Sequence, residues 1–336
     1  MLARRCDQAM LEITNLRVTL PTVRGPGAAL RDVGFSLAPG RTLGLIGESG
    51  SGKSMLALAL MGLLPTGART SGSIRFKGQE LLGAREADLC RLRGNRIGMV
   101  FQEPMTTLNP LHRVGDQVAA PLRLHQGMTQ SAARAHASRL LDRVRLPDAA
   151  GTLRAYPHQL SGGQRQRVTI AMALACAPDL LIADEPTTAL DVTTQREILA
   201  LIKDLVRETG MALLMISHDL DAMSRVAEHV MVMYGGTVVE SGPLASVFAR
   251  LAHPYTRGLF AARPRWPHDR LGGRRQPLQT IPGRVPELAD MPAGCPFSNR
   301  CAWTIQACLS QAPPVVDVGP AHGARCVRLT EPGFLR

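Results

Sequence analysis

The stretch that most constrains this chain is Gly47-Glu48-Ser49-Gly50-Ser51-Gly52-Lys53-Ser54, which fits the phosphate-loop pattern G-x-x-x-x-G-K-[ST]. The apolar segment Thr42 to Ile46 precedes it and predicts a strand, and the apolar run Met55 to Leu64 follows it and predicts a helix. A strand, a glycine-rich turn and a helix point backbone N–H groups at a polyphosphate. The sequence therefore predicts a nucleotide site in which Lys53 reaches the β- and γ-phosphates and the Ser54 hydroxyl holds Mg²⁺.

Length and composition limit the class of protein. The 336 residues suffice for a full core, and suggest two domains or one domain with an appendage. No apolar run reaches the roughly 18 residues that span a bilayer, and the arginines of Met1 to Asp7 precede no apolar stretch of an export signal. We therefore expect the protein to stay in the cytoplasm, with its seven cysteines reduced or bound to metal.

The net charge of +12 would suit binding to nucleic acid or to the anionic inner face of a membrane. An arginine-rich composition without a binding role explains it equally well, so the charge alone does not identify a partner. The densest arginines lie between Arg263 and Arg284, where the only aromatic residue is Trp266. Segments that bind single-stranded nucleic acid usually interleave aromatic residues for base stacking. We therefore favour a solvated linker or an inner-leaflet contact and expect no nucleic-acid partner.

Hydrophobic patterning predicts a mixed α/β fold. Leu11 to Leu20 alternates apolar and polar residues, which predicts an antiparallel β patch ahead of an α/β core. Leu180 to Ala183 and Ala212 to Ile216 are continuous apolar runs separated by a helical segment from about Gln195 to Arg207. Such runs are typical of a parallel sheet that is covered on both faces.

Two carboxylates end the first of these apolar runs. Asp184 stands at the predicted carboxyl edge of a strand, where it can hold Mg²⁺ directly or through water. Glu185 follows it, where a general base could polarise the water that attacks the γ-phosphorus. The simpler alternative is an acidic strand end that caps the next helix.

A second phosphate-binding pattern lies about twenty residues upstream. Leu160 is followed by Ser161-Gly162-Gly163-Gln164 at the predicted start of a helix, which is another helix N-terminus suited to phosphate. One ATP does not need two such cradles from one subunit. We therefore expect two subunits to face each other, each presenting this helix end to the nucleotide held by the other.

With these motifs the chain resembles an ABC-type ATPase, and further residues match that family one by one. Gln102 resembles the glutamine that links Mg²⁺ and the attacking water to the transporter interface. Asp191, in Ala189-Leu190-Asp191, resembles the aspartate of the loop that crosses the dimer. His218 resembles the histidine that contacts the γ-phosphate, so the resemblance implies a hydrolysis-competent half-site with ATP and Mg²⁺ as cofactors. One departure is the first hairpin, because residues Leu20 to Leu30 contain no aromatic side chain to stack adenine.

Longer runs narrow the resemblance to the ATPases of oligopeptide/dipeptide permeases. The runs that carry it are Phe101 to Pro110, Tyr156 to Gln159, Asp184 to Asp191 and His253-Pro254-Tyr255-Thr256-Arg257. The resemblance implies a P-loop ABC ATPase domain over residues 10–252, with a helical subdomain at about 103–176. It also implies a small irregular extension, typical of that family, over residues 253–336.

The resemblance also implies partners and a place of action. The chain and a related partner ATPase would close on two ATP molecules and act on two transmembrane permease subunits docked near Gln102 and Glu103 to Met105. An extracytoplasmic binding protein would deliver di- or oligopeptides, although glutathione, opines and nickel also fall within the family's range. The chain would work as a peripheral protein at the cytoplasmic face of the inner membrane. The alternative is a non-transport ABC ATPase in a soluble enzyme or nucleic-acid complex, against which His253 to Arg257 argues.

Four cysteines in the extension predict a metal site. Cys295, Cys301, Cys308 and Cys326 follow the spacing C-x5-C-x6-C-x17-C. This spacing lacks the C-x2-4-C pairs that are usual for structural zinc, whereas four thiolates also suit a [4Fe–4S] cluster. Similar peptide-permease ATPases carry such a cluster at these cysteines, so the resemblance implies [4Fe–4S], with zinc or free thiols as the alternatives.

Overall fold

The computed structural model describes residues 9–102, 107–263 and 279–334, and the elements below are those of these ranges. The strands, in chain order, are β1 (Leu11–Thr22), β2 (Gly25–Leu37), β3 (Thr42–Ile46), β4 (Arg69–Phe76), β5 (Gln79–Glu80), β6 (Ile97–Val100), β7 (Leu180–Asp184), β8 (Ala212–Ser217), β9 (His229–Tyr234), β10 (Thr237–Pro243), β11 (Val316–Gly319) and β12 (His322–Ala324). The α-helices are α1 (Lys53–Leu60), α2 (Glu86–Leu92), α3 (Val114–Gln126), α4 (Gln130–Arg143), α5 (Ala149–Arg154), α6 (Gly162–Ala173), α7 (Val192–Thr209), α8 (Leu220–Val226), α9 (Leu244–Arg250), α10 (Pro254–Ala261) and α11 (Gln306–Ser310). None of these helices is both long and apolar enough to cross a membrane.

The strands form two sheets. The first has the order β2-β1-β4-β5 and is antiparallel throughout, which confirms the predicted β patch. The second has the order β11-β12-β10-β9-β3-β8-β7-β6. Its segment from β9 to β6 is parallel, and every residue of β3, β7 and β8 is buried. The continuous apolar runs of the sequence are therefore the inner strands of a covered parallel sheet.

Helices α3 to α6 pack together as a helical layer. Thr129 caps the N-terminus of α4, with its side chain accepting a hydrogen bond from the Ala132 N–H, and Gly127 caps the C-terminus of α3 in the left-handed region (φ 64°). These caps account for the break between two helices within the predicted helical subdomain.

The C-terminal segment is more ordered than its sequence indicated. It contributes strands β11 and β12, and β12 pairs with β10 through Glu240 opposite Ala324. One of its 3₁₀ turns, Leu288–Asp290, lies against β2 of the antiparallel sheet. The segment predicted to be irregular thus extends the main sheet and also touches the first hairpin.

Candidate nucleotide site

The predicted site residues come together because parallel strands end at one edge of a sheet. The register aligns Ile46 of β3 with Ser217 of β8, and Asp184 of β7 with Ile216 of β8. The phosphate loop, Asp184-Glu185 and His218 therefore leave adjacent strands, and Gln102 follows β6, the neighbour of β7. Residues that are up to about 170 positions apart in the sequence therefore lie together at this edge of the sheet.

Lys53 lies folded across the phosphate loop. Its Nζ donates hydrogen bonds to the carbonyl oxygens of Gly47 (2.7 Å) and Glu48 (2.9 Å), and the residue is buried. Burial, the largest influence, lowers the pKa of Lys53, while the carboxylates of Glu185 and Asp184 oppose that change. The carboxylates thus favour the charged form of Lys53, and a charged ammonium that is largely shielded from solvent binds phosphate oxygens strongly.

The loop approaches the first hairpin so closely that Gly52 must be a glycine. Gly52 precedes α1 with φ 103°, and a Cβ there would lie 3.0 Å from the carbonyl oxygen of Ala29. The Gly236 N–H also donates to the Ser51 carbonyl at 3.0 Å. The loop therefore rests on both the hairpin and the β9–β10 turn.

Asp184 has the environment of a cation ligand. Burial is the largest influence on its carboxyl and raises its pKa, while a hydrogen bond with the Ser54 side chain opposes that shift. Its Oδ1 is buried and has no hydrogen-bond partner among the described residues. An unpartnered buried carboxylate oxygen beside a hydroxyl fits Mg²⁺, which prefers oxygen ligands. Ser54, Asp184 and Gln102 are the residues that could hold the ion.

Glu185 is held by three neighbours. Thr188 Oγ1 donates to its Oε2 at 2.8 Å, Gln102 Nε2 donates to the same oxygen at 3.3 Å, and His218 Nδ1 lies 3.0 Å from Oε1. Burial acts to raise the pKa of Glu185, but hydrogen bonds from His218 and Thr188 outweigh it and leave the pKa below its ordinary value. The carboxylate is therefore ionised at neutral pH and positioned as a proton acceptor.

Two grooves open beside the phosphate loop. The hairpin groove, about 620 Å³, runs from the loop along the first hairpin, and the histidine groove, about 700 Å³, runs from the loop past His218. Both are lined by Ser49, Gln102 and Glu185. A polyphosphate in the loop can therefore extend in two directions, only one of which passes the histidine.

The residues of the second predicted phosphate cradle line neither groove. Ser161 caps α6: its Oγ accepts from the Gln164 N–H (3.3 Å), and Gln164 Oε1 accepts from the Ser161 N–H (2.9 Å). A Cβ at Gly163 would lie 2.6 Å from Thr194 Cγ2 of α7, whereas one at Gly162 would reach only 3.4 Å from Leu190. Asp191 caps α7 and accepts from the Thr194 hydroxyl at 2.6 Å. Within the described residues of one chain, these motifs stay apart from the phosphate loop.

Two residues of the C-terminal segment, Tyr255 and Arg300, contact Glu48 of the phosphate loop. The Glu48 N–H donates to the hydroxyl of Tyr255 at 2.8 Å, and the Glu48 carboxylate accepts from Arg300 Nη1 at 2.6 Å. The run His253 to Arg257 had marked Tyr255 as a family feature, but no local pattern distinguishes Arg300 from other arginines of the C-terminal segment.

The four cysteines of the C-terminal segment line one small cavity together. Burial, followed by the proximity of the other thiols, raises the pKa of Cys295 to about 12. Burial also raises the pKa values of Cys301 and Cys326. Four thiols gathered at one place, three of them buried and that of Cys301 half-buried, fit a cluster that would stabilise thiolates. In the described ranges, however, no group of three or more His, Cys, Asp or Glu side chains is arranged to hold a metal ion.

Two predicted features fall outside the described residues. They are the proposed docking stretch Glu103 to Met105 and most of the arginine-dense segment, residues 264–278.

Comparison with known proteins identifies the family. Residues 30–188 match the ABC transporter family model, and residues 239–308 match the model of the oligopeptide/dipeptide transporter C-terminal region. The chain is 48% identical to a putative peptide import ATP-binding protein of Brucella melitensis, over 96% of this chain and 98% of that one. It is 46% identical to the oligopeptide transport ATP-binding protein of Escherichia coli, over 98% and 96%. Among solved structures, it resembles a dimeric ATP-binding cassette in a post-hydrolysis state bound to ADP and Pi (TM-score 0.63, 30% identity, 70% of this chain and 99% of that chain).

Proposed function

The chain belongs to the family of ABC transporter ATP-binding proteins, and from this membership we propose that it is the ATP-hydrolysing subunit of a peptide importer. The single observation that carries the chemistry is the hydrogen-bonded Glu185 beside a phosphate loop. The match of residues 239–308 to the oligopeptide/dipeptide transporter C-terminal region supports a peptide as the cargo.

We propose the following roles for the site residues. Gly47 to Ser54 bind the phosphates through backbone N–H groups, with Lys53 turning from the loop carbonyls to the phosphate oxygens. Ser54 and Asp184 hold Mg²⁺, assisted by Gln102, and the ion would neutralise phosphate charge. Glu185 accepts the proton of the attacking water. His218 orients Glu185 through the 3.0 Å contact and reaches the γ-phosphate from the histidine groove.

We propose that a second ABC ATPase subunit, related to this chain, completes the site. In the free chain the Ser161 and Gln164 groups satisfy each other, and no part of that helix end lines the grooves at the phosphate loop. An exposed helix N-terminus offers N–H groups to the phosphate of a facing subunit. Asp191, at the start of α7, would lie at the same contact.

The assembled transporter would contain two transmembrane permease subunits and an extracytoplasmic substrate-binding protein, and we expect no nucleic acid. The chain would be a peripheral protein at the cytoplasmic face of the inner membrane. The similarity to oligopeptide transport and peptide import ATP-binding proteins supports this arrangement.

We propose the domain division that the sequence suggested, an ATPase domain over 10–252 with a helical subdomain at about 103–176, and an extension over 253–336. The family matches at 30–188 and 239–308 support two units. We further propose that Cys295, Cys301, Cys308 and Cys326 bind a [4Fe–4S] cluster in the extension, with zinc as the less favoured metal. Bound there, it would supply thiolate–iron bonds between segments that are distant in sequence.

Co-purification tests the importer. A tagged full chain extracted from membranes with mild detergent should bring down two membrane proteins and a related ATPase. The stimulation of ATP hydrolysis by a peptide-loaded binding protein would then identify the cargo. Recovery in a soluble complex without membrane proteins would instead support the non-transport alternative.

A further inference from the structure

The hairpin groove is where the base and ribose of a nucleotide bound at the phosphate loop would lie. The histidine groove contains His218 and therefore belongs to the γ-phosphate end of a nucleotide whose phosphates occupy the loop. The hairpin groove is lined by Lys53 and Ser54 of the loop, and no histidine is among its described lining residues. A nucleotide with its γ-phosphate near Glu185 and His218 must therefore extend its base along the hairpin groove.

One wall of this groove comes from the C-terminal segment. The hairpin supplies Leu20, Val23 and Ala29, and the facing wall is the chain from Val285 to Ala289. None of the described lining residues is aromatic. Val23 is fully exposed, and Val285, Pro286 and Leu288 are half-buried. The groove thus presents aliphatic surface on two sides, at a place where a planar base can replace water.

The facing wall is attached to the hairpin by specific contacts. Arg24 donates two parallel hydrogen bonds to Asp290, from Nη1 to Oδ1 (2.9 Å) and from Nη2 to Oδ2 (2.7 Å), and it also bonds to Glu287. Leu288 packs so closely on β2 that a Cβ at Gly27 would lie 2.5 Å from Leu288 Cβ. Two-pronged arginine–carboxylate pairing adds geometric definition to a surface contact that would otherwise be weak.

We propose that Val285 to Ala289 forms the second half of the base-binding site, so that the adenine is held between this segment and the hairpin instead of stacking on an aromatic ring. Leu288 and Pro286 supply the apolar surface, and Arg24 positions the segment by binding Asp290 and Glu287. The inference rests on the proposed ATP site and deepens it: the phosphate loop binds the triphosphate, and the C-terminal segment binds the base.

Binding measurements on the full chain test the two parts separately. The probes are tripolyphosphate, which has no base, and a non-hydrolysable ATP analogue, both with Mg²⁺. Leu288→Ala and Arg24→Ala should each lower the affinity for the ATP analogue by about fivefold while leaving the affinity for tripolyphosphate unchanged. Gly27→Ala should have the same selective effect, because its added methyl group displaces Leu288.

Matched controls lie in the same sheet. Arg17→Ala removes a comparable exposed pair with Asp32 that does not line the hairpin groove, and Gly34→Ala adds a methyl group to β2 that comes no closer than 3.4 Å to another atom. Both should leave both affinities unchanged. The inference is wrong if all three test variants keep the wild-type ratio of the two affinities, that is, if both affinities are unchanged or if both fall by the same factor. If the wild-type chain binds neither probe, the proposed ATP site fails first.

Photolabelling needs no substitution and therefore does not depend on variants that fold. An ATP analogue with an azide on the adenine ring should label peptides from both Leu20 to Ala29 and Val285 to Ala289 after irradiation, and excess ATP should prevent the labelling. Label in the hairpin peptide alone would overturn the assignment of the C-terminal segment.

Discussion

Arg300 and Glu48 form a partly buried ion pair that joins the C-terminal segment to the phosphate loop. Arg300 Nη1 lies 2.6 Å from Glu48 Oε2 and Nη2 lies 3.2 Å from Oε1, with 5% of the Arg300 side chain exposed. Arg300 also donates to the Pro282 carbonyl at 2.7 Å, and its neighbour Cys301 lines the cysteine cavity. The pair thereby ties the phosphate loop to the segment that carries the cysteines.

Removing this pair should destabilise the protein. Arg300→Ala leaves the partly buried Glu48 carboxylate without its partner and removes the packing of a buried side chain, and we expect the free energy of unfolding to fall by about 1–3 kcal/mol. Glu48→Gln should cost less, because a neutral amide needs no counter-charge, and the double variant should lose less than the sum of the two. Denaturant titration measures each value. Arg143→Ala is the control, since its pair with Glu208 is exposed and should contribute less than about 1 kcal/mol. Additive losses would contradict the coupling.

Glu185→Gln should abolish turnover and retain ATP binding. The amide keeps the shape of the side chain but cannot accept the proton of water, and we expect a loss of about 100-fold or more in the rate of phosphate release. Equilibrium binding of ATP to the same variant checks the second part. Glu208→Gln, on the surface of α7, should leave both unchanged. Substantial residual hydrolysis would remove Glu185 as the base.

His253 should make stability depend on acidity. It is fully buried, its Nδ1 accepts from the Tyr255 N–H at 3.0 Å, and burial lowers its pKa to about 3. Between that value and the unfolded pKa of about 6.5, the unfolded chain binds a proton that the folded chain excludes, so stability falls as the pH falls, by about 1.4 kcal/mol per pH unit.

The substitution His253→Asn isolates this contribution, because asparagine also caps a helix but does not titrate. Unfolding free energies measured from pH 7 to pH 4 should decline less steeply in this variant than in the wild type. His229→Asn changes an exposed histidine and should keep the wild-type slope. Parallel slopes for His253→Asn and the wild type would show that His253 is protonated in the folded state.

The four-cysteine cavity should bind iron. Protein purified without oxygen should be brown and contain about four irons and four sulfides per chain. Cys308→Ser should lose the colour and the iron and lower the thermal unfolding midpoint, whereas Cys90→Ser, at an exposed thiol away from the cavity, should change none of these. Colourless protein with stoichiometric zinc would contradict the cluster.

Much of the central sheet was predictable from the sequence. Thr42–Ile46 forms β3 with the predicted bounds, and the apolar runs before Asp184 and His218 form β7 and β8. Continuous apolar strands carry a strong local signal because both of their faces are buried. The strands of the C-terminal segment were not predicted, since β11 and β12 are only four and three residues long. They form through tertiary pairing, in which β12 pairs with β10 and β11 pairs with β12.

The sequence by itself determined the chemistry at the sheet edge. Short sequence patterns, each covering one strand or one turn, predict the phosphate loop, Asp184, Glu185, Gln102 and His218. Parallel pairing of the strands then brings these residues to one edge of the sheet. Only the tertiary structure decided what surrounds that edge. Arg24 meets Asp290, and Glu48 meets Arg300, across more than 250 residues, and such contacts depend on the packing of distant segments. Eight consecutive residues sufficed to predict the phosphate loop. The residues that contact it from distant parts of the chain were visible only in the folded structure.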